Sequence, residues 1–396
     1  MRKLSLLTAA ATAAAAIVGA MPVSTAAAAG VGVQHHRVCG TAAPGTAACN
    51  AVRLQSSTGA AVNPHGKPIT PSAISGKTPN DIQSAYKLAG LSAGGRTVAI
   101  VDAYGYPNAE RDLGVYRNQW GLSSCTQANG CLKIMDQNGG TNLPRTDVGW
   151  AQEQALDLDA VSAACPSCKI MLVQAKSASF ADLGTAVQTA AKQAGVVAIS
   201  NSYGGGDAAD STYGKYYNHP GIAVTASTGD NGYQGGSYPA SSGYVTAVGG
   251  TSLYSASNTR GWTESAWSGA GSGCTTLNQP PAGQTTAMTN CSGRAMADVS
   301  AVADPNTGLA VYAPTSSTQS AWAQYGGTSL SSPLVASVYA LSGNTAGYAN
   351  SIPYSNQGGL FDVTSGSNGT CASWCTAKTG WDGPTGLGTP NGTSAF

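Results

Sequence analysis

Charge is scarce in this chain. Lys and Arg number 19 and Asp and Glu 18, together 9% of 396 residues, against about a quarter in an average domain. Removing a leader that carries Arg2 and Lys3 takes the 19 basic groups to 17 against 18 acidic ones, a net of about −1. A nearly neutral chain offers neither nucleic acid nor an anionic membrane an electrostatic reason to bind. Histidine is scarcer still: His35, His36, His65 and His219 are all there are. Long apolar runs are missing after the first residues, which excludes a bilayer-spanning helix in the body of the chain. Disorder is excluded by the 42% hydrophobic content. With few titrating groups, little self-repulsion builds up in acid, so the composition is compatible with acidic surroundings.

What is present begins with a leader. Arg2 and Lys3 precede an apolar stretch over residues 4–20, and an Ala-rich segment ends near Ala29. This pattern predicts a secretory signal over 1–29 with a small-residue cleavage site, and hence an extracellular protein. Ten cysteines fall in close pairs, Cys39/Cys49, Cys125/Cys131, Cys165/Cys168, Cys274/Cys291 and Cys371/Cys375. In an exported chain an even count predicts disulfides. Connectivity is open from spacing alone, and pairing between sequence neighbours is the expectation. Cys165 and Cys168 have no second pair or nearby histidine to complete a zinc site.

Residues 30–72 are polar, rich in small residues and without sustained periodicity, which predicts an irregular extension. From about Ala73 short β-branched runs alternate with helical patterns: RTVAIVDA (96–103), CLKIMD (131–136), a helix from Asp147 to Ala164, KIMLVQA (169–175), a helix over 180–194, VVAIS (196–200) and IAVTAS (222–227). Such alternation predicts an α/β fold, a mainly parallel sheet with helices on both faces. Its sites belong at the carboxyl ends of the strands. Residues 73–396 are expected to form one large domain.

GGTSLSSP (326–333) has the form of a mounting for a nucleophile, with glycines that permit a tight turn, Ser329 upon it and a helical pattern behind. A serine hydroxyl needs an adjacent base, and no histidine lies in a catalytic setting. Carboxylates are the alternative. In WAQEQALDLDAV (150–161) Glu153 and Asp157 are four residues apart, about 40° apart on one helical face, whereas Asp159 points roughly 240° from Glu153. Merely solvated, such a pair repels; held close and buried, it shares a proton and one pKa rises. A third acid, Asp230 in ASTGDNG (226–232), follows a buried strand. Alone it is an ordinary turn residue.

Taken together, EQALD, SNSYGG (200–205), NHPGIAVTASTGDNG (218–232), RAMADVSAVADPNTGLAVY (294–312) and GGTSLSSP resemble the sedolisin family, the serine-carboxyl peptidases with a subtilisin-like fold. The resemblance covers most of the chain from about Ala73 to Phe396. It implies that Ser329 is the nucleophile, Glu153 its base, Asp157 the partner sharing Glu153's proton, and Asp230 the oxyanion-hole acid. It also implies a calcium ion held by FDV (361–363) and GWDGPTGLGTPNG (380–392), with carboxylates from Asp362 and Asp382 and carbonyls of Val363, Lys378 and Gly380. Oxygen ligands suit a hard cation. Lys378 replaces a usual glycine there, and a Cys371/Cys375 loop separates the two halves.

The implied function is that of a secreted, acid-active, monomeric endopeptidase acting on protein or peptide substrates. Members of the family usually carry a long prosegment that assists folding and blocks the site. Here only residues 30–72 separate leader from domain, which leaves open a different maturation or a dispensable prosegment. Two other readings compete. A neutral subtilisin-type triad would use Asp102, but no HGTH-like segment follows it and His219 precedes a Pro-Gly turn. A secreted binding protein on the same scaffold would be expected to have lost at least one of the four site residues.

Overall fold

A computed structural model describes residues 32–344, 346–371 and 374–396. The expected signal segment lies outside the described residues. The central sheet runs in the order Trp262–Ala266, Thr246–Ser255, Ala223–Ser227, Val196–Asn201, Thr97–Ala103, Lys169–Ala175, Leu132–Asp136, with Val299–Val302 also paired to Thr246–Ser255. Every pairing is parallel except that of the Trp262–Ala266 edge. The expected mainly parallel sheet is therefore present, built by the β-branched runs read from the sequence.

Strand Thr97–Ala103 shows why those runs are continuous rather than alternating: all seven of its residues are buried. Val98 and Ile100 pack on one face with Leu156, Leu158, Leu334 and Val338. Ala99, Val101 and Ala103 pack on the other with Leu183 and Val187. A strand covered on both faces has no polar side to show. The helices Val148–Ala164 and Thr328–Ser342 thus lie on one face and Phe180–Ala191 on the other. The last helix stops at Ala191 rather than reaching residue 194.

The N-terminal extension differs from the expectation. Residues 33–56 are not irregular but carry the strands Val33–Arg37, Ala48–Cys49 and Val52–Ser56. The first and third join Ser320–Gly326 and Leu309–Pro314 in an antiparallel sheet. In Val52–Ser56 the residues Val52, Leu54 and Ser56 are buried in alternation, a period-2 signal too short to stand out in a polar segment. All five disulfides join sequence neighbours as expected, Cys165–Cys168 included. Among the described residues, no helix is long and apolar enough to cross a membrane.

Candidate active site

Helix Val148–Ala164 begins at Asp147, whose side chain caps the Trp150 N–H, and nearly all of it is buried. A helix enclosed on all sides should be apolar, yet Gln152, Glu153, Gln154, Asp157 and Asp159 are all interior. Each must find a partner. Asp159, on its separate face, accepts from the Tyr312 N–H at 3.1 Å. Glu153 and Asp157 share the other face, toward helix Thr328–Ser342.

That second helix starts at Gly327, whose φ of 92° suits glycine. A Cβ at Gly327 would run into the Asn50 carbonyl oxygen and lie 2.9 Å from Asp230 Oδ2. Ser329 follows in the first turn, its Oγ 2.8 Å from Glu153 Oε2, with the Ser202 carbonyl as a second acceptor at 3.1 Å. Pro333, four residues on, has no N–H to give the Ser329 carbonyl. Ser202 Oγ meets that carbonyl instead at 3.2 Å, and lies 2.8 Å from Asp157 Oδ1. One hydroxyl therefore links the serine's backbone to the acid pair.

Glu153 Oε1 and Asp157 Oδ2 are sealed from solvent without a donor from other described groups. A proton shared between the two carboxyls would give each of these oxygens a partner. Asp102, at the end of its strand, is also fully buried with both oxygens undonated. Burial, and then the charge of Asp157, raises Asp102 well above the usual carboxylate range. Burial raises Glu153 likewise, reinforced by Asp157 and Asp102 and opposed by the Ser329 hydrogen bond. Asp157 is raised by burial against the bonds from Ser202 and Glu153. Three carboxyls in one dry patch thus do not ionise independently of one another. Asp102 is part of this group, not the aspartate of a histidine triad. Its place is invisible in sequence because it lies far along the chain from the helix it faces.

Asp230 stands at the mouth of the same helix. Its Oδ1 accepts from the Thr328 N–H at 2.8 Å and from Thr328 Oγ1 at 2.9 Å. The residue is partly exposed, but Oδ2 is shut off from solvent and undonated. Burial pushes Asp230 up to about 6, against the pull of Arg37 and Thr328. The histidines take no part: His35 contacts Asn306 and the half-buried His219 contacts the Tyr216 carbonyl. A carboxylate 2.8 Å from a serine hydroxyl can take its proton as the oxygen attacks an electrophile. A protonated acid beside the helix N-terminus can donate to an oxyanion.

Away from this cluster, Asp362 Oδ2 accepts from the Gly380 N–H at 3.0 Å. Asp382 accepts from Thr385 N and Oγ1 at 2.9 and 2.8 Å and from the Lys378 N–H at 3.2 Å. Burial pushes Asp382 up to about 7, with Asp362 close enough to add to the rise. Among the described residues no hydrogen bond reaches the carbonyls of Val363, Lys378 or Gly380, and no group of three or more His, Cys, Asp or Glu side chains forms a metal cluster. Two carboxylates with three free carbonyls is a donor set that fits a hard cation.

The profile of the subtilase family matches residues 139–353. Kumamolisin from Bacillus sp. (strain MN-32) is 30% identical over 359 residues, which cover 80% of this chain and 62% of that protein. Sedolisin from Pseudomonas sp. (strain 101) is 32% identical over 170 residues, 38% of this chain and 28% of that one. The chain thus spans under two thirds of the length of these relatives. A solved structure of Pseudomonas sedolisin, a serine-carboxyl proteinase complexed with two molecules of pseudo-iodotyrostatin, superposes with a TM-score of 0.68 at 26% identity over 80% of this chain and 96% of that one. The chain belongs to the subtilase family.

Proposed function

We propose that the protein is a secreted serine-carboxyl endopeptidase that hydrolyses peptide bonds in acid. The observation that carries this is the 2.8 Å contact of Ser329 Oγ with Glu153 Oε2, in a buried group of acids with no histidine near. Ser329 Oγ attacks the peptide carbonyl carbon while its proton passes to Glu153. Asp157, sharing a proton with Glu153, holds the carboxylate in place, and one negative charge within the group suffices for the transfer. Protonated Asp230 donates to the oxygen that gathers charge. Glu153 then returns the proton to the leaving amine as the C–N bond breaks. Water, deprotonated by the same glutamate, releases the acyl group from Ser329.

A glutamate base suits acid because histidine is protonated there, and although burial raises Glu153, the hydrogen bond from Ser329 and a protonated Asp157 beside it favour the one negative charge the group needs to accept a proton. Asp362 and Asp382, with the carbonyls of Val363, Lys378 and Gly380, would hold calcium, which supplies charge that pins the two loops together. The reading is tested by preincubating the protein in acid and adding a serine-reactive probe to aliquots at pH 4 and pH 8. Labelling of Ser329 at pH 4 is expected. Labelling confined to pH 8 would favour a histidine-type triad, and none at either pH a binding protein.

A further inference from the structure

The loop that carries Asp230 is braced by a distant part of the chain. On either side of Asp230 its backbone is tied to residues 269–272. The Gly271 N–H donates to the Gly229 carbonyl at 2.7 Å, and the Gly232 N–H to the Gly269 carbonyl at 2.9 Å. The Ser272 N–H donates to the Gly232 carbonyl at 3.3 Å, and the Gln234 N–H to the Ser272 carbonyl at 3.1 Å. The two segments thus form one hydrogen-bonded layer.

Asn368, 4% exposed, closes the back of that layer. Its Nδ2 donates to the Ala270 carbonyl and to Ser272 Oγ, both at 2.7 Å. Its carbonyl accepts from the Tyr233 N–H at 3.2 Å, and its own N–H donates to the Cys375 carbonyl at 3.0 Å. A Cβ at Gly232, where φ is 67°, would stand 2.3 Å from the Asn368 carbonyl oxygen, so the loop comes this close only through glycine. Gly369, next in the chain, packs on the sulfur of Cys375, which is bonded to Cys371. Within the loop those cysteines close, the Trp374 ring meets Tyr233 edge-on at 5.9 Å and Trp381 at 5.1 Å. Trp381 Nε1 is anchored on the Ala297 carbonyl at 2.8 Å.

Packing alone does not account for an asparagine here. Its Oδ1 is sealed from solvent with no donor among the described groups, an arrangement that costs stability and that an apolar side chain would avoid. What an apolar side chain lacks is the pair of Nδ2 bonds that fix Ala270 and Ser272 together. We infer that Asn368 is a positioning residue for Asp230, and that through it the loop closed by Cys371 and Cys375 holds that acid at the start of helix Thr328–Ser342. The inference rests on the reading of Asp230 as the oxyanion donor and adds what keeps that donor in place. Such a donor works only when preset at the position where charge gathers, so a small displacement costs rate more than binding. Among the described residues the hydrogen bonds of Asn368 go to Ala270, Ser272, Tyr233 and Cys375, and none to the acids or Ser329. Its effect should therefore appear in kcat rather than KM, and only while Asp230 is there to be positioned.

The test is a double-mutant cycle on the full chain, preincubated in acid and assayed on a peptide at pH 4, well below the melting temperature of every variant. Asn368→Ala is expected to lower kcat about tenfold or more, short of the roughly 10²–10³-fold cost of losing an oxyanion donor outright, with KM within about twofold. In an Asp230→Ala background the same substitution should change kcat by less than about twofold, because coupled residues are not additive. A lowered melting temperature with unchanged kcat would overturn the inference, since Asn368 would then only support the fold. An equal fractional loss in both backgrounds would also overturn it, and would leave the oxyanion reading standing. Wild-type kcat in Asp230→Ala, or no hydrolysis by the wild type, would overturn the two together. Ser272→Ala, which removes one of the two Nδ2 acceptors, gives the second measurement should Asn368→Ala fail to fold. A smaller loss of kcat that vanishes without Asp230 is expected of it, and a loss that persists there would overturn the inference.

Discussion

At the scale of single residues, four positions of helix separate Glu153 from Asp157, and both lie on the face toward Ser329. Because the three are proposed to act as one unit, losing any one should cost nearly as much as losing all. Ser329→Ala, Glu153→Gln and Asp157→Asn are each expected to lower kcat by about 10³-fold or more, with the triple variant scarcely worse and the fold retained. Near-normal turnover by Glu153→Gln would remove it as the base. Gly327→Ala should fail for a different reason. Its φ of 92° and the Asn50 and Asp230 oxygens leave no room for a methyl group. Strain alone should cost about 1–3 kcal/mol, read as a lowered denaturant midpoint. A Gly327→Ala protein as stable as the wild type would contradict the placement of this turn.

At the scale of elements, legibility followed the range of the contacts. Thr97–Ala103 and Lys169–Ala175 were readable because burial on both faces demands unbroken apolar runs. The acid pair was readable because its spacing is local to one helix, and Ser329 because a glycine turn announces it. Asp102 and Ser202 were not, since the parallel sheet alone brings them to the helix carrying Asp157. Ala48–Cys49 was not, because a two-residue strand has no period and exists only through distant partners. The assignment of calcium to the loops with Asp362 and Asp382 rests on family likeness and is a proposal. Calcium binding to the native state would raise stability. Demetallated protein is therefore expected to melt several degrees higher with calcium than with chelator, and an identical melting temperature would remove the site. Asp382→Asn should abolish the difference.

At the scale of the molecule, the buried acids link stability to pH. Asp102, Glu153, Asp157 and Asp159 are raised well above their ordinary values, chiefly by burial, and Asp230 to about 6. In the unfolded chain such groups titrate near about 3.9 to 4.3. Below that range both states are protonated and the stabilisation is fully present. As pH rises through the native values, burial opposes ionisation and the stabilisation is lost. Asp136 and Asp182 act oppositely: burial would raise them, but hydrogen bonds outweigh it and hold them low. Their contribution is lost only as pH falls below the ordinary carboxylate range. At fixed calcium the melting temperature should therefore be higher near pH 4.5 than at pH 8. A flat profile, or one rising toward pH 8, would contradict the buried acid cluster.

The most direct test of the acid mechanism is the pH dependence of kcat/KM on a peptide, measured on enzyme preincubated in acid. Glu153 must be able to accept a proton while Asp230 still holds one. The profile should be bell-shaped, maximal between roughly pH 3 and 5, falling through about 6 as Asp230 ionises, and nearly gone by about pH 7. Its limbs report the coupled group rather than single residues. In an active Asp230→Asn enzyme, whose amide donates without titrating, the alkaline limb should move upward. An unmoved limb would remove Asp230 from the oxyanion site. A wild-type optimum above pH 7 would contradict the mechanism as a whole.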